Sequence, residues 1–181
     1  MKITHVKPYI VGEDRNFFFV VVDTDEGIQG IGEGGITWRG QAMAGFIEPF
    51  ERLLIGQDPF RTEHLWQVMF RGGFFPGGLV QTAAVSAVDT ALWDIKAKAL
   101  GVPVYELLGG RVRDRVVCYP HVRDTGDLYD LFLDGREKVD KGWKFLRWGV
   151  VDPAGSQLLE PTRMVNYGIE AVRAVREAVG D

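Results

Sequence analysis

Of the 181 residues only one is a cysteine, Cys118, and three are histidines. A lone thiol excludes an internal disulfide and a multi-thiolate metal site, and in an apolar segment it reads as buried filler rather than as a nucleophile. Runs of one charge sign are missing as well: 21 Lys and Arg are mixed among 25 Asp and Glu, for a formal charge of −4. Without a basic stripe, nucleic acid is not an expected partner. No apolar segment approaches the ~20 residues needed to cross a bilayer. The start, MKITHVKPYIVGED, alternates and carries charge where a secretory leader needs an unbroken apolar stretch. A membrane is therefore not expected either, and the cytoplasm is the expected compartment. Glycine is the opposite case, since 23 of them stand well above the usual ~7%. That excess points to many tight turns or to backbone pressed close to a neighbour.

The chain's periodicities predict two regions of different character. Residues 3–11 and 17–22 are rich in β-branched and aromatic side chains and flank a short polar link, Gly12 to Asn16. A turn ending at Gly27 leads to a third strand over 28–32, giving an antiparallel meander. From about Gln41 the period becomes helical, with Ala44, Ile47, Phe50, Leu53 and Leu54 in phase. A second helix is expected over 61–70. The longest, Leu79 to Ala99, carries alanines suited to close packing and stops at Gly101 and Pro103. After Arg113, apolar strands are expected at 116–119 and 145–150, with a helix over 128–141 between them, which is βαβ spacing. A last helix runs from Pro161 to Val179, with Pro at its first position and Gly180 after it.

The expected fold is thus an α+β domain over residues 1–113, a three-stranded antiparallel meander plus helices, followed over 114–181 by two βα units. Two parallel strands cannot cover both faces of a sheet, and a (β/α)8 barrel needs about 250 residues. The second region therefore reads as the opening of an incomplete barrel.

The stretch AVSAVDTALWDIKAKALGVPVYELLG, residues 84–109, resembles the signature of the mandelate racemase/muconate lactonizing enzyme group of the enolase superfamily. It includes Asp89, Ala91, Asp94, Lys98, Pro103 and Leu107-Leu108-Gly109. Further agreement lies in Thr24-Asp25-Glu26-Gly27, Gly32-Glu33, Ile55-Gly56-Gln57-Asp58-Pro59 and Leu65-Trp66-Gln67-Val68-Met69 leading into Arg71-Gly72-Gly73-Phe74. These flanking blocks look most like the D-galactonate dehydratase type of acid-sugar dehydratase. On this resemblance residues 1–113 are the N-terminal capping domain and 114–181 the start of the barrel. Within the signature, the alanines, Trp93 and the Asp/Lys pairs read chiefly as packing and surface ion pairs.

The resemblance implies a lyase acting on a small acid sugar. A proton α to a carboxylate is removed with the help of Mg²⁺, and the hydroxyl on the next carbon leaves to give a 2-keto-3-deoxy acid. It implies metal ligands and acid/base histidines on later barrel strands, beyond Asp181, so no residue here is assigned to metal and the 181 residues alone are expected to be inactive. Homo-oligomers are common among such relatives. Two alternatives remain open: a histidine-based racemase or epimerase of the same superfamily, and a non-catalytic cap or association module.

Many relatives carry KxK at the end of the second barrel strand, where the second Lys is a base. Here Arg147 and Gly149 take those places, which excludes a lysine base unless Lys144 is recruited by a register shift. Arg147 is the candidate catalytic residue, as a substrate contact or as a stiffener of the barrel mouth. His121, at the end of the first barrel strand, either meets a substrate hydroxyl or is satisfied by loop backbone. In the capping domain the implied substrate contacts are Arg15 and Asn16 in one loop, Trp38 and Arg39 in a second, and Phe74 beside Phe75-Pro76, for which core packing is the competing reading. His5 and His64 receive no role.

Overall fold

A computed structural model describes residues 1–12, 16–75, 77–149 and 160–180. The chain forms two compact units, Met1–Val112 and Arg113–Asp181.

In the first unit, strands β1 (Ile3–Val11), β2 (Phe17–Thr24) and β3 (Gln29–Gly34) form an antiparallel sheet in that order. One face is dictated by the period-2 pattern of β2, where Phe18, Val20, Val22 and Thr24 are buried and the residues between are not. On β3 the buried positions are Gly30, Gly32 and Gly34. Helices α1 (Gly40–Leu54) and α3 (Gly78–Leu100) cover this face, α2 (Thr62–Arg71) packs against α3 and α1, and the short α4 (Val104–Leu107) follows α3. The core joins Phe18, Val20 and Val22 to Met43, Ile47, Leu65, Met69 and the buried face of α3.

The strand glycines have a steric cause. A Cβ at Gly32 would lie 1.9 Å from the Ala87 carbonyl oxygen, and one at Gly30 would lie 2.0 Å from that of Ala91. Backbone of β3 and backbone of α3 therefore meet directly, which requires glycine on one side and alanine on the other. Two side chains of α3 complete the contact. Asp94 accepts the Ile31 N–H at 3.0 Å, and Lys98 donates to the Gln29 carbonyl at 2.8 Å while pairing with Asp94 at 2.7 Å. The signature Asp/Lys pair thus occupies the backbone groups of an edge strand. α3 stops at Gly101, whose φ of 68° is left-handed, with its N–H returned to the last turn.

In the second unit, α5 (Leu128–Asp140) is capped by the Asp127 carboxylate accepting the Tyr129 N–H, and α6 (Pro161–Val179) spans the residues its periodicity predicts. They pack closely at Gly135, where an added Cβ would lie 3.8 Å from Ala178 Cβ. The core is Val122, Leu131, Tyr167, Ala171 and Val175.

The expected barrel strands need correction. No ladder forms at 116–119 or along 145–149, and Val150 lies outside the described residues. Instead, among the described residues, a parallel bridge joins His121 and Arg147, with Val122 N–H donating to the Arg147 carbonyl at 2.7 Å and Arg147 N–H to the Pro120 carbonyl at 3.2 Å. Val116 and Val117 are exposed. Two isolated parallel segments lack the neighbours that sustain a ladder. Cys118, expected as buried filler, is exposed for the same reason.

Candidate functional site

The bridge in the second unit sets which side chains share a face. Successive residues of an extended segment point to opposite sides, and Val122, Leu146 and Trp148 pack with the helices. Tyr119, His121, Phe145 and Arg147 therefore project from the face without helices. There the Arg147 Nη1 donates to the Tyr119 hydroxyl at 3.0 Å, and its guanidinium carbon lies 5.7 Å from the Tyr119 ring centroid. The Tyr119 and His121 rings are stacked, with centroids 6.2 Å apart and planes at 7°. All three side chains are solvent-accessible, so they present two ring faces, a cation and hydroxyl and imidazole groups to a ligand.

Gly149 follows Arg147 on the same side, and a Cβ there would meet nothing within 4 Å. Lys144 lines a cleft with Leu146, Trp148, Val172 and Val175 on the helix side. The register observed here therefore leaves no lysine beside Arg147. Tyr119 was missed by the sequence reading, although its i, i+2 spacing from His121 places both on one face of an extended segment and was a usable signal.

The loop after His121 is anchored by a hydrogen bond of 2.5 Å from the Tyr167 hydroxyl to Asp124. Burial first, and then this bond to the carboxylate, push the Tyr167 hydroxyl well above the ordinary tyrosine value, so it stays a donor. At the adjacent residue the loop is tied to α5: burial pushes the Asp134 carboxyl up, but the Arg123 amide and the Lys138 ammonium outweigh it and hold it below the usual value.

In the first unit, Trp38 and Arg39 lie in the turn between β3 and α1. Trp38 is 70% exposed and has a φ of 67°, the left-handed region that costs a non-glycine residue about 1–2 kcal/mol. The Arg39 guanidinium reaches back to the Trp38 carbonyl at 3.4 Å. Phe74 is 94% exposed and meets Phe75 edge-on at 5.1 Å, so the core-packing reading for it does not hold. Asn16 is half-buried beside β2. Arg15 and Pro76 lie outside the described residues. Asp23, Asp25 and Glu26 are occupied with Lys7, the Lys2 amide and the N-terminal amine. Among the described residues no three His, Cys, Asp or Glu side chains come together in a way that fits a metal ion. No described helix is long and apolar enough to cross a membrane.

Residues 4–109 match the mandelate racemase/muconate lactonizing enzyme N-terminal domain. A D-galactonate dehydratase of Verminephrobacter eiseniae is 42% identical over 182 residues, an alignment that covers all of this chain and 46% of that protein. The chain thus spans about half the length of the curated relatives it matches. Among solved structures, a member of the enolase superfamily from Salmonella Typhimurium superposes with a TM-score of 0.88 at 31% identity, over 99% of this chain and 52% of that one. An enolase from Pantoea ananatis with bound D-gluconate and Mg superposes at 0.84, with 29% identity, over 99% and 51%.

Proposed function

The chain belongs to the mandelate racemase/muconate lactonizing enzyme family of the enolase superfamily through its N-terminal domain, and we propose that the protein is an acid-sugar dehydratase. The observation that carries this reading is the 42% identity, along the whole chain, to a D-galactonate dehydratase. The net reaction removes the C2 proton and the C3 hydroxyl as water, and the resulting enol tautomerises to a 2-keto-3-deoxy acid. Hydroxide is a poor leaving group, so the departing oxygen requires a positioned acid.

The helix-free face of the second unit suits recognition of such a substrate. Arg147 offers a planar fork of donors that matches a carboxylate or paired hydroxyls. Its bond to Tyr119 orients that fork, and His121 and Tyr119 add hydrogen-bonding groups for sugar hydroxyls. A hydrogen bond between exposed groups adds about 1 kcal/mol or less to stability, so the arrangement is better accounted for by binding than by folding. With Gly149 beside Arg147, this face supplies no lysine base, which supports dehydration over lysine-based racemisation. In the first unit, Trp38, Arg39, Asn16, Phe74 and Arg15 are proposed substrate contacts, with the strained Trp38 foremost.

No cluster of His, Cys, Asp or Glu among the described residues fits a Mg²⁺ centre. A metal would have to be held by residues outside this set.

The test is to incubate the full-length protein with a panel of hexonates and pentonates, beginning with D-galactonate and D-gluconate, and to score 2-keto acid formation. Dehydration of at least one member is expected. Exchange of the α-proton with solvent, without loss of water from any of them, would replace the dehydratase reading with a racemase or epimerase.

A further inference from the structure

We propose that Tyr167, on α6, is a positioning residue for the substrate site: through Asp124 it fixes the register in which His121 stands beside Arg147. Its consequence for substrate rests on the acid-sugar reading of this face, whereas the register belongs to the second unit by itself.

Among the described residues the segments carrying His121 and Arg147 meet in an isolated bridge, so no ladder there specifies which residue of one faces which residue of the other. The apolar pattern does not settle the matter either. Side chains alternate with period 2, so a slip of two residues preserves both faces and brings Tyr119 or Arg123 to Arg147 in place of His121. In one direction that slip would merely seat Pro120 where Val122 is buried, one apolar residue for another.

What distinguishes the registers lies immediately beyond the bridge. The Tyr167 hydroxyl donates to Asp124 Oδ1 at 2.5 Å, and the Gly126 N–H donates to the same oxygen at 3.0 Å. A two-residue slip would carry Asp124 about 6.6 Å along the chain, far outside hydrogen-bond reach. No substitute would arrive, because the residues at the same phase are Pro120, Val122 and Gly126, whose side chains offer no acceptor. The second tie is less selective. Asp134 on α5 accepts the Arg123 N–H at 3.0 Å, and a main-chain amide is supplied by every residue of this loop. Nor can the Tyr167 hydroxyl follow a slipping chain, since its ring is buried with Val122, Leu131, Ala171 and Val175. The one side-chain bond that only the observed register satisfies is therefore the one from Tyr167.

The test uses the full-length protein with Tyr167→Phe, which keeps the ring in the core and removes the donor, Asp124→Ala, and the double variant. Kinetics on the acid sugar and amide hydrogen exchange are both measured. In Tyr167→Phe, KM is expected to rise about ten-fold with a smaller change in kcat. The Val122 and Arg147 amides, which close the bridge, should exchange at least about ten-fold faster, while those of Leu131 and Val175 keep the parent rate. Because Tyr167 acts through Asp124, the double variant should be no worse than Asp124→Ala alone. Bridge amides that keep the parent rate, or that speed only in step with Leu131 and Val175, overturn the proposal, as does an additive double variant. A parent-like KM in Tyr167→Phe despite faster bridge amides removes its role in the site. If the parent dehydrates no acid sugar, the dehydratase reading fails, and the exchange rates alone decide the register.

Discussion

Arg147 and Tyr119, 28 positions apart in sequence, are joined by a 3.0 Å hydrogen bond and a ring contact on the face of the bridged segments that carries no helix. If this pair orients the substrate, its two members differ in what they contribute. Arg147→Ala removes the charge itself, and turnover of the full-length protein on its acid sugar is expected to fall on the order of 10²-fold. Tyr119→Phe leaves the charge but frees the fork, so KM should rise about ten-fold with a smaller change in kcat. Unfolding midpoints of both variants should stay within about 1 kcal/mol of the parent. Full activity in Arg147→Ala would remove the residue from the site.

Trp38 holds a left-handed backbone with most of its ring in solvent. Asparagine tolerates that conformation better than any large aromatic, so Trp38→Asn should stabilise the protein by about 0.5–1 kcal/mol in denaturant unfolding while lowering acid-sugar turnover. Gain of stability with undiminished turnover would make the strain incidental.

Gly32→Ala places a methyl group against the Ala87 carbonyl. Neither backbone can retreat, because Asp94 and Lys98 fasten the same strand and helix. A loss of about 3 kcal/mol or more in thermal or urea unfolding is expected, whereas Gly35→Ala, with open space at its Cβ, should cost far less.

Asp89 gives a pH-dependent prediction. Burial, and after it the nearby Glu63 charge, raise its folded carboxyl above the model-compound value of 3.8, so the ionised form weakens the fold. The penalty is complete above the raised folded value and disappears as pH falls to about 3.8. Asp89→Asn should therefore be more stable than the parent near pH 7 and indistinguishable from it at pH 3, as read from urea midpoints across that range.

The last helix was legible to the residue, 161–179, because Pro161 and Gly180 punctuate a clean amphipathic repeat. The meander was readable from β2 to within two residues at the strand ends, and α3 to within one residue at each end from its alanines and Gly101. The barrel strands were not. Apolar runs at 116–119 and 145–150 look like strands, but pairing depends on partners that no local pattern reveals, and the bridge seen among the described residues falls at His121 instead. Arg147 and His121 were each visible as candidates. What joins them to Tyr119 is a cross-strand register that single-residue reasoning does not supply. The surroundings of Asp89 were hidden for a related reason. Asp89 and Trp93 looked like ordinary helix-surface residues until α2 brought Glu63 and Trp66 alongside.

Gly30 and Gly32 on β3, set against Ala87 and Ala91, have an evolutionary corollary. Where two main chains mesh like cogs, neither can drift: most new side chains on those teeth jam the gear, and a one-residue slip would drive Ile31 and Glu33 into it. Substitutions in the turn around Trp38 leave that mesh untouched, so the loop can be changed without moving the frame beneath it.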